Sequence, residues 1–152
     1  MKRTVTLLAL AFLIVSMLPV QSSATGIPTE YDEIIHLDNG DYITVEIGQV
    51  LNRGTTVNNN KTYTYRDSNG DEQWRAILYG TFVYDGTTST CTQGSCDVII
   101  TDTSWSVSSK NVVKSGGTVS CDLTMVKKFI GITVLKEELN MSMTCSPTGV
   151  FS

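Results

Sequence analysis

The chain has 152 residues, with 11 basic and 15 acidic side chains and a net charge of −4 at pH 7. This acidic balance disfavours nucleic acid, whose binding depends on neutralised phosphates. It also makes the protein as a whole a poor partner for anionic lipid surfaces. We therefore predict no nucleic-acid partner.

The first 24 residues have the pattern of a secretory signal peptide. Lys2 and Arg3 precede an apolar run from 5 to 20, and Ser22 and Ala24 supply the small residues of a cleavage site. The alternative is a membrane anchor, but the run falls short of the roughly 20 residues that span a bilayer. We predict a secreted, extracellular protein without a membrane span after cleavage at Ala24, with 128 residues and a charge of −6.

The segments that follow alternate between turns and strands. Residues 25–36 are predicted to be an acidic N-terminal leader, and residues 37–152 a single domain. Asn-Gly turn chemistry at 37–41 precedes a strand over 42–47, in which alternate residues are β-branched. The Asn-rich stretch 52–60 is predicted to be a loop. Residues 61–66 and 72–85, separated by a turn, form the strongest hairpin pattern.

Three further strands are predicted in the second half of the chain. They cover 97–109, 118–128 and a last run from Ile132 to Cys145. The apolar positions of the last run change parity between Val134 and Leu139, which predicts a β-bulge near 136–138. The sequence thus predicts an all-β fold, an antiparallel sandwich or barrel of roughly six to eight strands.

Four cysteines follow the predicted signal peptide, namely Cys91, Cys96, Cys121 and Cys145. An even number in an exported chain favours two disulfides over a zinc site, because no second close cysteine pair is present and the single histidine is distant. Three connectivities are possible. We favour Cys91–Cys145 with Cys96–Cys121, since this nested pairing joins different strands.

No catalytic, cofactor-binding or metal-binding constellation emerges from the remaining residues. Residues 67–71 (DSNGD) resemble the start of a calcium loop but lack its glycine and its final glutamate, so a plain turn is the better interpretation. His36 has no triad partner in the sequence. Glu137 and Glu138 are neighbours on one strand and should point to opposite faces.

Aromatic side chains are the only candidate binding feature. Tyr63 and Tyr65 share one face of a strand, and Trp74, Tyr79 and Trp105 lie on strands nearby in sequence. An exposed platform of such rings could stack on sugars. The competing interpretation is that the rings fill the core, which is favoured because aromatics make up only 8% of the chain.

Several short segments, in order, resemble a family of small secreted proteins of unknown function from Gram-positive bacteria, mostly gut Firmicutes. These segments are Leu37–Ile43, Lys61–Tyr65, Gly80–Gly86, Cys91, Ser104-Trp105, Lys114–Gly116 and Thr144–Pro147. The resemblance covers most of the chain after residue 36 and implies no known activity or cofactor. It also implies that Cys91 and Cys145 pair, with Cys96 and Cys121 as an additional pair.

The leading functional hypothesis is a secreted, non-enzymatic binding module whose ligand is a glycan, a cell-envelope component or a protein. The alternative is an inhibitor or effector directed at a protein, acting through residues 52–60. The third hypothesis is a hydrolase that uses carboxylates.

Overall fold

The computed structural model describes residues 31–48 and 55–152, and the predicted signal peptide lies outside these ranges. Eight strands run through the described residues. They are β1 (Glu33–His36), β2 (Tyr42–Ile47), β3 (Thr56–Arg66), β4 (Glu72–Tyr84), β5 (Ser89–Ile100), β6 (Trp105–Ser115), β7 (Thr118–Phe129) and β8 (Ile132–Thr144). Among the residues described, no helix is long and apolar enough to cross a membrane.

The strands form two antiparallel sheets in which each strand pairs with its neighbours in the chain. The first sheet has the order β1-β2-β3-β4-β5 and the second the order β6-β7-β8. Their inner faces enclose one core, so the prediction of an all-β sandwich is confirmed, with eight strands. Glu33–His36, in the segment predicted to be a leader, is β1 and pairs with β2.

The alternation of apolar residues determines which face of each strand lies inside. On β4, Trp74, Ala76 and Leu78 are buried, whereas Arg75 and Tyr79 on the opposite face are exposed. Strand β7 follows the same rule with its odd-numbered positions inside. Since successive side chains of a strand point to opposite faces, each strand contributes one row to the core.

Two predicted boundaries were wrong. The strand predicted over 97–109 is interrupted, because β5 ends at Ile100 and β6 begins at Trp105. In between, the Asp102 side chain accepts a hydrogen bond from the Ser104 amide at 2.9 Å, which turns the chain from one sheet to the other. The second error concerns 52–60, where 56–60 belong to β3 and 52–54 lie outside the described residues.

The predicted bulge in the last strand is present but lies earlier. Lys127 pairs with Leu135 and Lys128 pairs with Thr133, so that Val134 has no partner across the ladder. Beyond a single unpaired residue, odd-numbered and even-numbered side chains exchange the faces of the sheet to which they point. This explains the change of parity between the start of β8 and Leu139.

Candidate functional site

The favoured interpretation, that the aromatic rings fill the core, is confirmed at four of the five positions. Tyr63, Tyr65, Trp74 and Trp105 are at most 5% exposed. Tyr65 stacks on Trp74 with ring centroids 5.1 Å apart and lies equally close to Trp105. These rings therefore fill the core, and only Tyr79 is accessible, with 37% of its surface exposed.

The hydroxyl of Tyr65 connects the core to two turns at one end of the sandwich. It donates a 2.5 Å hydrogen bond to Asp41 Oδ2, and Asp41 Oδ1 accepts the Ser68 amide at 3.0 Å. Burial raises the pKa of Tyr65 well above its usual value, and the hydrogen bond to Asp41 raises it further. The Asp41 carboxylate thus fastens the β1–β2 turn to the β3–β4 turn.

The segment that resembled a calcium loop closes on itself. Asp67 Oδ1 accepts hydrogen bonds from the amides of Asn69 and Asp71, both at 3.0 Å. The Asp67 carboxylate therefore accepts hydrogen bonds from the backbone of its own turn, as in an ordinary Asx turn. Within the described parts of the chain, no three His, Cys, Asp or Glu side chains are arranged to hold a metal ion.

The carboxylate pair considered for hydrolysis is divided between two faces of β8. Glu137 lies opposite Met125 and is half-buried, and burial raises its pKa, with a smaller contribution from Asp41. Glu138 is exposed beside Lys136, whose hydrogen bond and charge lower the pKa of the Glu138 carboxyl. His36 is exposed on β1. None of these groups forms a pair of facing acids as expected for glycoside hydrolysis.

All four cysteines are buried free thiols, so the predicted disulfide staple is absent from the structure and no pair lies at bonding distance. Cys91 Sγ donates to the Gln93 carbonyl at 3.1 Å, and Cys145 Sγ donates to the Ser146 carbonyl at 3.4 Å. These two thiols are therefore turned toward carbonyls of their own chain segments rather than toward each other.

Cys96 and Cys121 are closer partners. Cys96 lies on β5 in one sheet and Cys121 on β7 in the other, and the two thiols are near enough for each to affect the pKa of the other. Burial raises the pKa of Cys96 to about 12, with Cys121 contributing, and burial also raises the pKa of Cys121. Both groups are protonated thiols at neutral pH.

A depression of about 300 Å³ lies on the five-stranded sheet, where β3, β4 and β5 run side by side. We call it the polar groove. Cross-strand pairing aligns Asn58, Thr81 and Gln93 in one row and places Tyr79 beside Ser95 in the next. The full lining is Asn58, Asn59, Tyr79, Gly80, Thr81, Gln93, Gly94 and Ser95.

Two glycines explain why the sheet is depressed at this point. Gly80 and Gly94 are cross-strand partners, and the register shifts between Thr81 and Phe82, which adds local twist. A Cβ atom on Gly80 would lie 2.3 Å from Cε2 of Phe82, and one on Gly94 would lie 2.6 Å from Cγ2 of Val119. Only glycine permits this close approach of backbone to core.

The groove is rich in neutral hydrogen-bonding groups. Thr81 Oγ1 donates to Asn58 Oδ1 at 2.7 Å, which orients the amide of Asn58. No charged side chain belongs to the lining. The sequence does not predict this site, because an Asn-rich stretch is typical of a loop. The available signal is that Asn58–Asn60 run into the Tyr63 strand with no glycine or proline between them.

Comparison with family models, with curated proteins and with solved structures finds no match to this chain. The interpretation of the groove therefore rests on its chemistry. Amide and hydroxyl groups both donate and accept hydrogen bonds, and one half-exposed tyrosine offers an apolar ring face. Such a surface suits a neutral, hydroxyl-rich ligand.

Proposed function

We propose that this protein is a secreted, non-enzymatic binding module whose polar groove holds a neutral glycan. The observation that supports this proposal is the uncharged lining of the groove around the half-exposed ring of Tyr79. Sugars present hydroxyl groups at their edges and C–H groups on their ring faces. The amides of Asn58 and Gln93 complement the edges, and the tyrosine ring complements the faces.

The size and rigidity of the groove support a small portion of a glycan as ligand. A volume of about 300 Å³ is at the lower end of the range for small-molecule sites. The groove is built on three paired strands rather than on loops, so its side chains are held before the ligand arrives. Pre-organisation of this kind reduces the entropy lost on binding.

The lining also favours binding over hydrolysis. Glycoside hydrolysis uses two carboxylates that flank the bond to be broken, and no Asp or Glu belongs to the groove. The alternative of a protein-directed inhibitor has no comparable feature in its support, since residues 56–60 of the proposed loop are part of β3.

A glycan array followed by titration calorimetry tests the proposal. The Tyr79→Ala variant should weaken binding about tenfold, a change of 1.4 kcal/mol. Val83→Ala is the matched control, because Val83 is similarly exposed on the same face of β4 but does not line the groove. Retention of no glycan by the array, or equal affinity of the Tyr79→Ala variant and the unmodified protein, would refute glycan binding at this site.

We further propose that residues 1–24 direct export and that the protein belongs with the Gram-positive secreted family that it resembles. Lys2, Arg3 and the apolar run after them support export. The intact mass of protein recovered from the culture medium tests it. A mass that begins at Thr25 is expected, and a protein retained in the cell with Met1 in place would contradict export.

In an oxidising compartment we propose that Cys96 and Cys121 form a disulfide. The support is their placement on facing strands of the two sheets, β5 and β7, where both side chains are buried in the shared core. Oxidation would remove two protons and two electrons from the pair, taken up by a disulfide oxidant of that compartment. Cys91 and Cys145 are the second proposed pair, which requires both thiols to turn away from the carbonyls they now contact. The support is that their amides donate to the consecutive carbonyls of Gly116 and Gly117, which places the two backbones near each other.

A further inference from the structure

The tip of the β7–β8 hairpin is the most apolar exposed part of the described chain. Phe129, Ile130, Ile132 and Val134 are 68%, 85%, 69% and 57% exposed. We call these four residues the apolar tip. Phe129 and Ile132 are cross-strand partners, so their side chains lie on the same face of the hairpin. Single exposed apolar residues are ordinary, but four within six positions need an explanation.

The turn itself gives a second, independent observation. Ile130 has a φ of 51° and Gly131 a φ of 77°, both in the left-handed region. Two-residue turns of this type favour Asn-Gly, because asparagine tolerates positive φ and a β-branched residue does so poorly. Isoleucine at this exposed position is unfavourable for the backbone and makes little contact with the core. Its presence therefore indicates a role outside the fold.

The charges around the apolar tip are positive, in contrast to the acidic protein as a whole. The hairpin segment from 126 to 136 contains Lys127, Lys128 and Lys136 and no acidic residue. Lys127 pairs with Asp102 at 3.2 Å and Lys136 pairs with Glu138. Lys128 makes no ion pair within the described residues, so its charge is available to a partner.

We propose that the apolar tip inserts into the surface of a lipid bilayer, with the lysines behind it in contact with anionic headgroups. At about 3.3 Å per strand residue, Phe129 and Ile130 extend roughly 3–7 Å beyond Lys128. This reach matches the depth of about 5–10 Å at which interfacial segments bury their apolar side chains. The site shares no residue with the polar groove and does not depend on the proposed glycan binding.

Size argues against a second copy of the chain as the occupant. A buried aromatic side chain covers about 150–250 Å², and Phe129 is the only aromatic residue of the four. The apolar tip alone therefore falls short of the roughly 800 Å² per partner in a stable interface. A bilayer requires no matching surface. The net negative charge of the protein is no obstacle at close range, since charges more than about 8 Å from the membrane are screened at physiological salt.

Cosedimentation with vesicles tests the proposal on the full exported chain. The unmodified protein should bind vesicles of phosphatidylcholine and phosphatidylglycerol in equal parts more tightly than vesicles of phosphatidylcholine alone. Ile130→Asn should lower binding to the anionic vesicles at least tenfold while leaving the thermal midpoint unchanged or higher, because asparagine relieves the turn. Lys128→Gln should lower binding to the anionic vesicles about fivefold and have little effect on binding to the neutral vesicles.

Val150→Asn is the matched control, since Val150 is 66% exposed and lies at the opposite end of the sandwich. It should bind vesicles as the unmodified protein does. Absence of binding to both vesicle types, or equal binding by the Ile130→Asn variant, would overturn the proposal. A dimer in analytical ultracentrifugation that dissociates with Ile130→Asn would assign the apolar tip to a second copy of the chain and would also overturn it.

Discussion

Oxidation of Cys96 and Cys121 should stabilise the protein by constraining its unfolded state. A bridge between these positions closes a loop of 26 residues. The chain-entropy relation for a loop of this length gives about 3.5 kcal/mol at 25 °C. This figure is an upper value, because no two cysteines lie at bonding distance in the structure and the movement that closes the bridge costs part of the gain.

Urea unfolding with and without reductant measures this effect. The protein for the assay carries Cys91→Ser and Cys145→Ser, so that only the bridge between the sheets can form. A urea slope of about 1–3 kcal/mol per molar predicts that reductant lowers the midpoint by roughly 1–3 M. The control adds Cys121→Ser, which should abolish the difference. If reductant has no effect on the first variant, or the same effect on both, the inferred bridge is wrong.

Three further predictions concern the core and its edges. Under reducing conditions the free energy of unfolding should fall as pH rises from 9.0 toward about 12, because folded Cys96 keeps a proton that the unfolded thiol releases. The urea midpoints of the unmodified protein and of the Cys96→Ala variant should therefore converge across this pH range. Midpoints that stay a constant distance apart would contradict this. Gly80→Ala should lower the free energy of unfolding by about 1–3 kcal/mol through overpacking against Phe82, and an unchanged urea midpoint would show that the ring moves aside freely. Tyr65→Phe should lower the free energy of unfolding by about 1.5–3 kcal/mol, since Asp41 loses a charge-assisted hydrogen bond. Circular dichroism melts measure this, and a loss below about 0.5 kcal/mol would show that the bond contributes little.

The hairpin of β3 and β4 was predictable because local signals agreed there. Side-chain character alternates with a period of two on both sides of a turn that contains Asp67 and Gly70, and this pattern is typical of a β-hairpin. The break between Ile100 and Trp105 was not predictable from periodicity, since the alternate positions 99, 101, 103 and 105 are all β-branched or aromatic. Asp102 and Ser104 carried turn chemistry at that point, but their signal is weaker than that of glycine or proline.

The candidate site was less accessible to sequence reasoning than the fold. Alternation places Trp74 and Tyr79 on opposite faces of β4, yet it does not say which face meets the second sheet. Burial of the Trp74 face left Tyr79 outside. The groove also depends on Gly80 and Gly94 meeting across two strands, and such a pairing follows only from the register.

The chain-neighbour order of the strands has a consequence for how the protein acquires its fold. Every strand pairs with one that immediately precedes or follows it, so the sheet contacts have low sequence separation, which favours rapid folding. If the chain emerges from a translocation pore with its N-terminus first, each strand from β2 to β5 finds its partner already present. The inner face of β5 nevertheless stays uncovered until β6 and β7 arrive. During that interval Cys96 is accessible to an oxidant, and afterwards Cys121 covers it.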